Sequence, residues 1–219
     1  MLIAQELRKT NIAEYVLYMW QVEDIIRAYN CDISALRHNY ISQFDLTDEQ
    51  REDMIDWYAN LIRMIREEGV TRSGHIQIVK IVVQQMMELH SQLLQSPKFP
   101  FYNAEYYKVL PFIVELRSRG SKDVNEIETC LNALYGVMML RLQKKEVSPS
   151  TENAVKEITT FLGMLSDYYK EDKEKQTSCG YERRCAGIPF RRKGDRISHI
   201  RQAGSKYQAY RLFGKVIAA

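Results

Sequence analysis

The chain has 219 residues, of which 45% are hydrophobic, enough for one domain with a sizeable core plus an appendage. Its net charge of +3 hides an imbalance. Of the 31 Lys and Arg, ten lie in residues 177–219, against only Glu182 and Asp195 of the 28 acids, so that part sums to +8 and the rest to −5. This excludes reading the whole chain as a basic nucleic-acid binder.

The first residues, MLIAQELRKTN, lack the apolar stretch of a signal peptide. The most apolar region, 76–94, is broken by Lys80, Gln84, Gln85, Glu88 and His90, which excludes a membrane span. A cytoplasmic location is therefore expected, with Cys31, Cys130, Cys179 and Cys185 reduced.

In chain order, Asn11 followed by Glu14 reads as a capping box for a long helix to about Asn30, with Ile12, Tyr15, Val16, Met19, Val22, Ile26 and Tyr29 at helical spacing. Asp32 caps a short helix through Ser42. Thr47 and Gln50 form the next capping box, ahead of a face of Met54, Trp57, Tyr58, Leu61 and Ile65. Gly69 supplies the left-handed stop. A fourth helix, from about Ser73 to Ser96, is apolar on more than one face and is expected to be the central one. The aromatic-rich segment 97–120 contains Pro111, where it kinks or begins anew, and ends at Gly120. Asp123 and Glu126 cap a further helix. Ser148 and Pro149 open the last, whose stripe of Val155, Ile158, Leu162, Leu165 and Tyr169 gives way to the charged run YYKEDKEK.

No segment alternates with period two. The expected fold is all-α: a bundle of six or seven helices over residues 1–175, with 176–219 a basic, disordered tail outside the core. The tail reads either as an arm that contacts nucleic acid or as an out-of-frame extension with no selected role.

Four strings, NIAEYVLYMWQVEDIIRAYN (11–30), REEGVTRSGHIQIVK (66–80), SPKFPFYNAEYYKVLPFIVELR (96–117) and ETCLNALYGVMMLRLQKKEVSP (128–149), carry a specific resemblance. With them residues 1–175 resemble domain-of-unknown-function family 4924, helical proteins of the Bacteroidetes. The resemblance implies a bacterial, helical, intracellular protein. It supplies no catalytic residues, and the tail from Thr177 has no counterpart in it.

Candidate chemistry concentrates in three places. On the first helix Trp20, Gln21, Glu23, Asp24 and Arg27 mix rings and charge. Arg27 follows the two acids by four and three positions, so the group is either a polar patch at a pocket or an intrahelical salt bridge. Gly74–His75 opens the fourth helix, where an imidazole beside free N–H groups suits an anion. Lys98 introduces Phe99, Pro100, Phe101, Tyr102, Tyr106 and Tyr107, which either line a ligand pocket or pin a loop to the bundle. A functional pocket, if built, is expected where the first helix meets the 98–107 segment.

The ligand-binding candidates are therefore Glu23, Asp24, Arg27, His75, Lys98, Tyr102, Tyr106 and Tyr107. Glu49, Glu52, Asp53 and Asp56 line one helical face. They read as a solvated face, with magnesium binding the rival. Cys179, Cys185 and His199 do not match zinc spacing. No phosphate loop or nucleophile elbow occurs.

The leading expectation is a non-catalytic helical interaction or ligand-binding module that self-associates, needing no metal or cofactor. The alternatives are a metal-dependent hydrolase of a nucleotide-like phosphate compound and a nucleic-acid accessory protein acting through residues 177–219.

Overall fold

The computed structural model describes residues 2–119 and 124–182, which form eight α-helices and no strand. These are α1 (Leu2–Thr10), α2 (Ile12–Ala28), α3 (Ile33–Asn39), α4 (Asp48–Glu67), α5 (Gln77–Gln95), α6 (Pro100–Arg119), α7 (Glu126–Leu142) and α8 (Pro149–Glu182), with one 3-10 turn at Ile41–Gln43. The helix that periodicity does not announce is α1. It ends on the same residue that starts α2: the Asn11 N–H bonds Leu7 O, and the Asn11 side chain accepts from Glu14 N. Its backbone N–H being taken, Asn11 reaches the Glu14 carboxylate with its side-chain amide instead, at 2.9 Å.

Most helix ends follow local chemistry. Asp32 caps α3 through Ser34 N, and both bonds of the Thr47/Gln50 box form. Ser148 Oγ accepts from Thr151 N ahead of Pro149. Gly69, at φ +70°, ends α4 with Gly69 N on Arg66 O and Val70 N on Ile65 O, the paired bonds of a Schellman turn. The same pair ends α2 at Asn30 and α7 at Lys144, both with positive φ although neither is glycine.

Four expectations are corrected. The short helix does not run through Ser42 but stops at Asn39 and resumes as the 3-10 turn. The cap of α7 is Asn125, whose side chain accepts from Glu128 N; Asp123 lies outside the described residues, as does Gly120. The helix over 100–119 does not restart at Pro111. That residue sits on the exposed side, where water can meet the Tyr107 carbonyl that proline leaves without a donor.

The central helix is α2, not α5. Twelve of the seventeen residues of α2 are buried, and it packs against α1, α4, α5, α7 and α8. α5 buries one stripe (Val79, Val82, Val83, Met86, His90 and Leu93), while Ile81 is exposed and Met87 half-buried. Apolar residues around a helix do not all face inward, because a protein surface tolerates isolated ones.

α8 continues past Lys175 to Glu182. The rest of the expected tail, 183–219, lies outside the described residues. No described helix is long and apolar enough to cross a membrane. Cys31 and Cys130 are free and buried.

Candidate functional site

The loop from α4 to α5 crosses α2, and Arg27 holds it there. Arg27 Nε donates to Val70 O at 3.3 Å, and Nη2 donates to Gly74 O. Nη1 bonds Asp24 Oδ1 at 2.8 Å, and Glu23 lies 3.7 Å away. With Gly74 at φ +88°, the chain turns so that His75 lands on Glu23.

Glu23 is the most constrained group in this cluster. Its residue is fully buried. Oε1 accepts from Ile76 N at 3.0 Å, and Oε2 stands 2.6 Å from His75 Nδ1. A carboxylate offers only acceptors, so Nδ1 carries the proton of this bond. In its neutral form the ring is therefore held with the lone pair on Nε2, which has no partner among the described residues. The His75 side chain is 29% exposed.

Trp20 stacks on the imidazole with ring centroids 4.4 Å apart and planes 15° from parallel, and Tyr135 of α7 meets Trp20 edge-on at 5.6 Å. The Tyr135 hydroxyl donates to Asp24 Oδ2 at 2.5 Å. Burial foremost, and the Asp24 carboxylate next, raise its phenol well above the ordinary range. Trp20 Nε1 is buried and has no partner among the described residues.

The start of α5 already holds two carboxylates. The N–H groups of the cap and of the first helical residue meet carboxylates of the same chain: Ile76 N bonds Glu23 and Gln77 N bonds Glu68, the latter at 2.5 Å.

The eight candidates thus divide. Glu23, Asp24, Arg27 and His75 converge, but without the 98–107 segment that the sequence reading set beside the first helix. Lys98, Tyr102, Tyr106 and Tyr107 do not join them: no hydrogen bond, ion pair or ring contact links the two sets among the described residues. Lys98 is exposed, and so is Tyr107, at 67%.

Tyr102 and Tyr106 belong to a second, interior cluster. Tyr102 OH lies 2.7 Å from His90 Nδ1, and Tyr106 OH donates to Glu126 Oε2 at 2.9 Å. Glu126 Oε2 is also 3.4 Å from His90 Nε2, within ionic reach but off hydrogen-bond geometry. Phe161 of α8 packs against all three rings. Burial lowers the pKa of His90, partly offset by Glu126, and pushes the Cys130 thiol up to about 12, where it is an inert core residue. This cluster is a buried structural network, complete but for His90 Nε2, that pins α6 to α5, α7 and α8.

His90, Glu126 and Tyr135 are the participants that sequence reasoning missed. Each lies in an ordinary helical pattern, and only the tertiary fold gives it a polar partner. The carboxylates Glu49, Glu52, Asp53 and Asp56 all face solvent on α4. Among the described residues no three His, Cys, Asp or Glu side chains are grouped to hold a metal ion.

The protein is thus an all-α bundle carrying a buried carboxylate–imidazole pair at a helix–loop junction. Residues 1–176 match the model of the Domain of unknown function (DUF4924) family, and the chain belongs to that family. No curated protein and no solved structure matches the chain.

Proposed function

We propose that this protein is a non-catalytic helical ligand-binding module and that the His75 imidazole is the group that grips its ligand. One observation carries the reading. Glu23, Asp24 and Arg27 are each engaged by groups of the fold, whereas Nε2 of the neutral His75 ring is left as an oriented acceptor on a part-exposed side chain. Fixing a tautomer through a buried carboxylate serves the other ring nitrogen, as with the orienting partners of ligand-binding histidines. The ligand would present an N–H or O–H donor to Nε2. A hydrolytic role lacks support from the α4 carboxylates, which lie apart in solvent.

The test uses Trp20 as reporter, because it stacks on His75 and the sequence has only one other tryptophan, Trp57. In a Trp57→Phe background, a panel of primary amides, amines and alcohols is titrated against Trp20 emission. At least one class is expected to shift it, and Glu23→Gln to abolish the response. The amide of Gln can donate to Nδ1 and turn Nε2 from acceptor into donor. No response from any class, or one indifferent to Glu23→Gln, would refute the reading.

A further inference from the structure

The cluster around His75 sorts its polar atoms by kind. The donors that the fold fixes there are engaged within it: Arg27 on Val70 O, Gly74 O and Asp24, His75 Nδ1 on Glu23, and the Tyr135 hydroxyl on Asp24. Ile76 N and Gln77 N meet carboxylates of the chain in the same way. What the fold fixes and leaves toward solvent is acceptors. One is Nε2 of the neutral His75 ring, on a side chain 29% exposed. The other is the Asp24 carboxylate, 48% exposed, with one bond on each oxygen and a lone pair to spare on both.

Charge points the same way. Hydrogen bonds hold three carboxylates at this junction, those of Glu23, Asp24 and Glu68, against the one guanidinium of Arg27, so the held groups sum to −2 with the ring neutral. Arg72 of the loop and Lys80 of α5 are exposed and make no hydrogen bond or ion pair with the cluster among the described residues. Their long stems let the charged heads extend into water.

We infer that the ligand gripped by His75 is a protonated primary amine, an inference that rests on the ligand-binding reading above. A primary ammonium carries three N–H donors and no acceptor, the complement of a site whose open fixed groups are acceptors. One N–H bonds Nε2. The field of Asp24 favours the positive head, and Asp24 is tied to His75 through Tyr135 and Trp20 on one side and through Arg27 and Gly74 on the other. An alcohol or a carboxamide can also donate to Nε2, but each brings an oxygen acceptor that meets no open fixed donor, and neither is charged. An anion would meet like charge and acceptors alone.

The test titrates n-propylammonium, n-propanol and propionamide, which are close in size, into the full-length Trp57→Phe protein, with Trp20 emission as the readout. The amine should bind roughly fivefold or more tighter than either neutral compound, because a hydrogen bond from a charged donor is about twice as strong as a neutral one. That advantage should shrink as salt rises from about 0.01 M to about 1 M, where the screening length falls from about 30 Å to about 3 Å. Asp24→Asn should bring the ratio of amine to alcohol affinity toward one. Tetramethylammonium, a cation without an N–H, should bind more weakly than the primary amine.

A lysine side chain and a free amine share this chemistry, and N-acetyl-lysine amide titrated beside n-propylammonium tells the two sources apart. Neutral compounds that bind as tightly as the amine, or an amine advantage untouched by both salt and Asp24→Asn, overturn the choice of a cation while leaving His75 as a ligand-binding group. Tetramethylammonium binding as tightly as the primary amine overturns the bond to Nε2. No response to any of these compounds overturns this inference together with the reading on which it rests.

Discussion

Replacing Glu23 by Ala tests whether a buried carboxylate organises the α4–α5 loop. The substitution removes two acceptor oxygens from a site without water access. It orphans Ile76 N, which lies 3.0 Å from Oε1, and His75 Nδ1, which lies 2.6 Å from Oε2. It also leaves Arg27, 3.7 Å away and only 13% exposed, without one of its two acidic neighbours.

Removing one partner of a buried charged network costs about 3–5 kcal/mol, because the groups left behind remain desolvated. For a domain of this size each kcal/mol moves the melting temperature by about 2–4 °C, so a fall of roughly 10–15 °C is expected. The control is the neighbouring Asp24→Ala. Its side chain is 48% exposed, so its ion pair with Arg27 is screened by solvent, and with the Tyr135 hydroxyl bond also lost a fall of about 1–2 kcal/mol is expected. Calorimetry and urea unfolding of both variants give the comparison. Equal losses, or a Glu23 loss below about 1 kcal/mol, would show that burial does not make this carboxylate special.

Three further outcomes follow from the fold. Lys144 holds a left-handed conformation, φ 56°, at the C-terminal turn of α7. Lys144→Gly should raise stability by about 0.5–1 kcal/mol in urea unfolding, since a side chain there costs about 1–2 kcal/mol and glycine none. His90 has a pKa lowered by burial, so the unfolded chain takes up a proton near pH 6.5 while the fold resists it. Stability should be complete above about pH 6.5 and fall as pH drops toward 5.5, with a shallower slope in His90→Asn; a flat or rising melting temperature in wild type would contradict this. On α5, Met86→Asp should unfold the protein by burying an unpaired carboxylate, whereas Ile81→Asp, at a 47% exposed position, should change the melting temperature little, as circular dichroism melts will show.

Much of the helical grammar was legible because it is local. Asn11, Asp32, Thr47 with Gln50, Gly69 and Ser148–Pro149 act within a few residues of themselves. Burial was less legible. The run from Ile76 to Leu94 has apolar residues on more than one face, yet Ile81 points to solvent, and the centre belongs to α2, where even Gln21 and Glu23 are buried. Which side of a helix is covered depends on its neighbours, and spacing carries no record of those.

The same limit divides the site. Glu23, Asp24 and Arg27 form a pattern on one helix, so their pairing could be read from intervals of three and four. His75 was a candidate for its place at a helix start, but its bond to Glu23 spans 52 positions. Tyr102 and Tyr106 stood out as aromatics beside a cation, yet their polar partners are His90 and Glu126, and Lys98 contributes nothing to them. A cluster dense in rings and charge signals that polar groups need partners. It does not say which.

The most direct measurement is the ring-nitrogen NMR of His75. Long-range proton–nitrogen correlation at neutral pH should find the imidazole protonated on Nδ1 and bare on Nε2, with Glu23→Gln reversing the pattern. A neutral ring protonated on Nε2, or one exchanging freely between the two forms, would mean that Glu23 does not present His75 to a ligand.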